Sequence, residues 1–300
     1  MSTPSAAPDA SECRYTVLPH VPGAAGNRII GALYAIAAIV LVWRAIQSRK
    51  GWPWVLPIGA AASAAGFFIR PMMDPCDFSV GLYVGQQLVI LVSPCAFLAF
   101  NYMLYKRLML AVDPQLATAE NRNVKSPYSF LPPLKVSRIF VWSDGITFFL
   151  QCSAGGLMAG KKPNMIDLGN KIFLVAVILM AVSYALFFSL AVVAHSRLGA
   201  EHSQSQRFHA VLRKLFLCLY FSSTFIMVRS IYRIAEFALG RDGVLASNEI
   251  YLFVLDALPL IFAISIWALF WPINMIDEIA QERYADVPMA QKPLSHGAYA

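Results

Sequence analysis

Residues Leu168 to Ala194 read LGNKIFLVAVILMAVSYALFFSLAVVA, and after Lys171 no charged side chain occurs through Ala194. About 20 apolar residues wound as an α-helix cross the ~30 Å hydrocarbon core of a bilayer. Nothing in that core can hydrogen-bond an open backbone, so an apolar run of this length is either a helix or part of a closed barrel. Barrel strands alternate polar and apolar residues, whereas this run is continuous, and a membrane helix follows. Six further runs of the same kind flank it: Arg28 to Gln47, Trp54 to Ile69, Tyr83 to Tyr105, Ile139 to Ala159, Val211 to Leu239 and Ile250 to Trp271. The whole composition agrees. Apolar residues make up 58% of 300 positions, charged residues 14%, and mean hydropathy is +0.58, against roughly a quarter charged in a soluble domain. The expectation is an all-α integral membrane protein with seven transmembrane helices.

Loop charge sets the expected orientation, because cytoplasmic connections carry the excess of Lys and Arg. With the N-terminus outside, the inner connections and tail receive fifteen basic residues and the outer ones seven, leaving Arg229 and Arg233 inside the sixth helix. The N-terminus is therefore expected outside and the C-terminus in the cytoplasm. Residues 1–27 form an extracellular segment, 28–272 the membrane domain, and 273–300 a cytoplasmic tail expected to be disordered. Residues 1–27 contain no apolar core of a cleavable signal, so the first membrane helix is expected to direct insertion. The net charge of +7 follows from this loop bias and needs no nucleic acid. Cys13 and Cys76 both fall on the expected outer side, where a disulfide between them is permitted; free thiols fit as well. No CxxC or HExxH spacing occurs, so no metal and no cofactor are expected, and the chain is expected not to be an enzyme.

Ionisable side chains inside a bilayer cost at least ~2.5–3.5 kcal/mol each, so those retained are informative. On the fourth run Asp144, Thr147, Gln151 and Gly155 fall on one face at 100° per residue. Gly155 and Gly156 would let a neighbouring helix or a ligand approach the backbone. The sixth run carries Ser222, Arg229, Arg233, Glu236 and Gly240 on a comparable face, with Arg233 and Glu236 spaced to pair. The seventh offers Asp256 as a partner for Arg229, with Glu249 seven residues earlier on the same face. The third adds Gln86, Gln87 and Asn101. Two readings stand open. The charges either neutralise one another and fix helix packing, or they line a polar cavity for a zwitterionic or amphipathic substrate or for protons.

These residues also carry a family resemblance. IFVWSDGITFFLQCSAGGL (Ile139 to Leu157) resembles the fourth-helix signature of the fungal RTA-like family, also called lipid-translocating exporters, at Phe140, Asp144, Thr147, Gln151, Gly155 and Gly156. VRSIYRIAEFALGRDGVLASNEIYLFVLDALPL (Val228 to Leu260) is similar to a second signature of the family, at Arg229, Tyr232, Arg233, Glu236, Gly240, Glu249, Asp256 and Pro259. The third run matches at Gln87, Pro94 and Tyr102. The fifth departs from the pattern: LVAVILMAV (Leu174 to Val182) has no polar residue where the family often has a glutamine.

The resemblance implies a seven-helix fungal protein of the plasma membrane, linked to outward movement of sphingoid long-chain bases and to resistance against lipophilic toxins. Its partners would be membrane lipids and an amphipathic lipid substrate; no protein partner is implied. The substrate-binding residues would be Asp144, Gln151, Arg229, Arg233, Glu236 and Asp256, supported by Gln87, Thr147, Gly155, Gly156 and Glu249. The alternative is a seven-helix receptor or stress sensor that regulates lipid transport without carrying substrate. No GxxxxGK[ST] phosphate loop occurs, and the seventh run has no lysine for a Schiff base.

Overall fold

Each apolar run satisfies its own backbone by winding into a helix, and polar or proline-containing segments end it. In the computed structural model the described residues are 23–72, 80–113, 131–158, 163–200, 205–240 and 248–285, with a few positions in the intervening loops. The helices are α1 (Ala24–Ser48), α2 (Val55–Ile69, flanked by 3-10 turns), α3 (Val80–Val112), α4 (Pro133–Met158), α5 (Pro163–Gly199), α6 (Gln206–Leu239), α7 (Glu249–Leu269) and α8 (Pro272–Ala285). No strand occurs among the described residues. Arg49 takes a left-handed conformation (φ 53°) to end α1, and Gly240 (φ 74°) follows the last turn of α6. Ser205 caps α6 by accepting from the Phe208 N–H, and Asn248 caps α7 by accepting from the Ile250 N–H.

Consecutive helices pack side by side, and α7 returns to α1, so α1 to α7 close into a ring. The outer surface of the ring is apolar. On α5, Val175, Leu179, Val182 and Leu186 are exposed at alternating spacings of four and three, while Met180, Tyr184, Phe187 and Ala191 on the other face are buried. Polar side chains lie inside instead: Asn101, Asp144, Gln151, Ser223, Arg229 and Asp256 are all buried. This inverts the pattern of a soluble protein, whose charged residues face water. Six helices (α1, α2 with its flanking turns, α3, α5, α6 and α7) are long and apolar enough to cross a bilayer. The chain is a multi-pass integral membrane protein. α4 is not among the six because Asp144, Gln151 and its serines and glycines dilute its apolar residues; it nevertheless packs between α3 and α5 as a full 26-residue helix.

Small residues set the closest approaches. A Cβ on Gly59 of α2 would lie 2.7 Å from Ala96 Cβ of α3, and one on Gly169 of α5 would lie 2.9 Å from the Ala154 carbonyl oxygen of α4. Gly155 and Gly156 do not act this way: no atom lies within 4 Å of a Cβ built on either. The buried face of α4 runs through Ala154 and Met158, which turns both glycines away from the neighbouring helices.

Residues 273–285, part of the tail expected to be disordered, are helical. Pro272 to Ala285 forms α8, which buries Ile273, Met275, Ile276 and Ile279 against α3 and α6. Its outer face is charged and tied to two connections and to the first turn of α6. Lys50 pairs with Asp277 at 2.8 Å, Arg207 with Glu278 at 2.7 Å, and Arg283 donates to the Tyr128 hydroxyl at 3.0 Å. An amphipathic period read only for its low mean hydropathy hides such a helix. Residues 286–300, and both Cys13 and Cys76, lie outside the described residues.

Candidate functional site

Pro259 cannot donate to the helix ladder of α7, and such breaks are absorbed by local widening. The turns just before it, Leu252–Ala257, are π-helical, a form that often marks functional positions. The Tyr34 hydroxyl of α1 donates to the Ala257 carbonyl oxygen at 2.9 Å. Asp256 sits in this widened segment and points at α6. Arg233 grips it with two parallel bonds, Nε to Oδ1 at 2.6 Å and Nη2 to Oδ2 at 2.7 Å. Arg233 Nη1 donates to Glu236 Oε2 at 3.1 Å. Arg229 Nε stands 3.0 Å from Asp256 Oδ1, an ion pair whose angle falls short of a hydrogen bond. The structure thus brings Arg229, Arg233, Glu236 and Asp256 into one network with two positive and two negative charges. Asp256 is 4% exposed and Arg229 7%, so these charges rely on each other rather than on water.

Glu249 belongs to a neighbouring cluster at the end of the ring. It accepts from the Gly23 N–H at 2.7 Å and from Asn27 Nδ2 at 3.2 Å, and lies 3.6 Å from Arg70 Nε. It therefore ties the starts of α1 and α7 to the end of α2.

Asp144 occupies a different place, in the wall formed by α3, α4 and α5. Its Oδ2 accepts from the Tyr102 hydroxyl at 2.8 Å, while Oδ1 is buried and has no hydrogen-bond partner. Thr147 donates back to the Asp144 carbonyl oxygen. Gln151 is buried one turn on, with only Met180 Sδ of α5 near its Nε2, at 4.0 Å. Tyr102 lies against Phe140, Tyr184 and Phe187. Tyr184 continues the polar path toward α6, accepting from Asn101 Nδ2 and donating to Ser223 Oγ, each at 2.8 Å. Gln86 is buried on α3 with Nε2 unpartnered, and the side chain of Gln87 lies outside the described residues.

Tyr184, Ser223 and Asn27 complete these clusters without having stood out in the sequence, and Tyr102, matched there only as part of the resemblance, joins them. Tyr184 and Ser183 follow directly on the wholly apolar Leu174–Val182 segment, and a hydroxyl inside an apolar run is the signal that could have found them. An open groove of about 550 Å³ has neither acid in its lining. Phe188, Val192, His195 and Tyr220 line it between α5 and α6, and His195 Nδ1 is 2.9 Å from the Tyr220 hydroxyl.

A closed helical ring, apolar outside and charged within, defines a membrane protein whose polar groups serve its interior. The chain belongs to the RTA1 like protein family, whose model matches residues 56–279. Protein RTM1 of Saccharomyces cerevisiae is 27% identical over 74% of this chain and 68% of its own length. The Probable lipid transporter atnI of Emericella nidulans is 22% identical over 79% of this chain and 62% of its own. The Sphingoid long-chain base transporter RSB1 of Saccharomyces cerevisiae is 26% identical over 48% of this chain and 47% of its own. No solved structure matches the chain.

Proposed function

We propose that this chain is a seven-span plasma-membrane protein, N-terminus outside, that moves an amphipathic lipid with an amino headgroup, such as a sphingoid long-chain base. The fourth span is α4. Movement of such amphipaths out of the membrane would also underlie resistance to lipophilic toxins. The observation that carries the reading is Asp144 Oδ1, a carboxyl oxygen buried among α3, α4 and α5 with no partner. An ammonium headgroup supplies the charge and the N–H donors that such an oxygen lacks, and Gln151 two turns further along α4 offers an amide to the adjacent hydroxyls. The Arg229–Asp256–Arg233–Glu236 network holds α6 against α7, and Glu236, its least buried carboxylate, offers the first contact for an incoming headgroup. The relatives named as lipid transporters support the same substrate class.

The purified chain in liposomes is the test. Labelled long-chain base is expected to cross the bilayer with no added protein, and Asp144→Asn is expected to reduce the rate about tenfold or more, the loss of about one strong charge-assisted contact. Flux equal to that of protein-free liposomes would overturn the reading. It would favour a regulator that carries no substrate, a role compatible with the internal pairing of Arg229, Arg233, Glu236 and Asp256.

A further inference from the structure

We infer that Asp144 holds a proton when no lipid is bound and gives it up when an ammonium headgroup arrives, so that the protein exchanges a proton for its cationic lipid. The inference rests on the proposed amino-lipid reading and names the ion that would drive it.

The geometry is that of a neutral acid. Asp144 is 4% exposed, and no cationic side chain lies within ion-pair distance of it among the described residues; every ion pair of Arg229 and Arg233 goes to Asp256 or Glu236. The titratable side chains near it are phenols and a thiol, Tyr102 and Cys95 from α3 and Tyr184 from α5, none of which brings a positive charge. Arg138, six residues earlier on α4, is exposed and about 120° away around the helix. One hydroxyl donates to Oδ2 and nothing reaches Oδ1. A carboxylate isolated in this way is too costly to bury, and such groups neutralise by taking a proton. The contrast with Asp256 is internal to the molecule: that acid is equally buried, yet two guanidinium groups compensate its charge.

The exchange balances. The neutral Asp144 carboxyl and a lipid ammonium give a carboxylate–ammonium ion pair and one free proton, with no net change in the charge of the site. No other co-reactant is needed. For one-to-one exchange, a pH difference of one unit would support about a tenfold gradient of the lipid cation.

Two measurements on the full chain test this. Infrared spectra of the reconstituted protein without lipid base should contain a protonated-carboxyl carbonyl band that is missing from Asp144→Asn and is lost when long-chain base is added. In weakly buffered solution, titration with a long-chain quaternary ammonium amphipath, which has no proton of its own to release, should free about one proton per molecule bound, the proton expelled as that acid ionises. Asp144→Asn should free none. Asp144→Glu, which keeps the acid, should retain the release and guards against a folding defect in the asparagine variant. Binding without proton release, or a spectrum with no carboxyl band assignable to Asp144, overturns the exchange while leaving amino-lipid binding intact. Failure of both the primary and the quaternary amphipath to bind overturns the exchange together with the reading beneath it.

Discussion

Replacing Asp256 by asparagine removes a negative charge shared by two guanidinium groups, that of Arg229 buried and that of Arg233 partly buried. In the native network two arginines face two carboxylates, and Asp256 takes three of the contacts: Arg229 Nε at 3.0 Å and Arg233 Nε and Nη2 at 2.6 and 2.7 Å. After the change Arg233 keeps Glu236, but Arg229 keeps no anionic partner among the contacts described. Removing one member of a buried pair costs about 3–5 kcal/mol, because the remaining charge is left uncompensated. At about 2–4 °C per kcal/mol in chains of this size, the apparent Tm should fall by roughly 10 °C. Cys218 is buried and Cys95 and Cys152 half-buried, all three as free thiols, so a thiol-reactive dye reports unfolding on heating. Arg229→Gln in the Asp256→Asn background restores equal numbers of charges. The double variant should therefore recover part of the loss, by a coupling of about 0.5–3 kcal/mol. A single variant within about 1 kcal/mol of wild type, or a double variant less stable than the single, would refute the view that charge compensation holds α6 to α7.

The close contacts give a second test: Gly59→Ala should cost about 1–3 kcal/mol by overpacking against Ala96, whereas Gly156→Ala, with open space around it, should be neutral or raise stability by up to ~1 kcal/mol through helix propensity; the same thermal assay separates them. Tyr102→Phe removes the hydroxyl donor to Asp144 and should cost about 1–3 kcal/mol without shifting the helical circular dichroism. Ile279→Asp places a charge in the buried face of α8 and should release that helix, read as faster tryptic cleavage after Arg283; an unchanged cleavage rate would mean that the apolar face does not hold α8 in place.

Periodicity and charge made the helices legible and left the environment of single residues obscure. The run from Leu168 to Ala194 lies wholly within α5, and the i, i+3 spacing of Arg233 and Glu236 anticipated their 3.1 Å contact. Arg229 and Asp256 could be matched because buried charges need partners and few others were available. α8 was missed because mean hydropathy averages its four buried apolar residues with the charges on its other face. Gly155 and Gly156 meet no neighbouring helix for a related reason. Three residues beyond Gln151 the buried face passes to Ala154, and the four-residue step that reaches Gly155 has already turned toward its edge. Tyr102, Tyr184 and Ser223 meet across three helices, and no spacing within one helix reports such a meeting. Met180 stands near Gln151 in the apolar segment of the fifth run, so the amide on the fourth meets a thioether there.

The two buried acids are alike in burial and opposite in what surrounds them, and the proposed function gives that difference a consequence. An ammonium headgroup could bind Asp256 only by displacing a bidentate arginine, a loss on the order of the 3–5 kcal/mol for breaking a buried pair. At Asp144 nothing need be displaced from Oδ1, and the Tyr102 hydroxyl can stay on Oδ2 as the headgroup arrives. On the proposed reading, the acid on the arginine-rich helix pair, which the sequence makes conspicuous, would be the anchor, and the more isolated acid on α4 would be the one that binds. The consequence is separable in experiment. Asp256→Asn should lower stability and reduce lipid flux only through loss of folded protein, so flux per folded molecule stays near wild type. Asp144→Asn should leave a buried neutral amide in place of a neutral acid, keep the Tm within a few degrees, and abolish most of the flux per folded molecule. The reverse pattern, with Asp256→Asn stable but inactive, would move the binding site to α6 and α7.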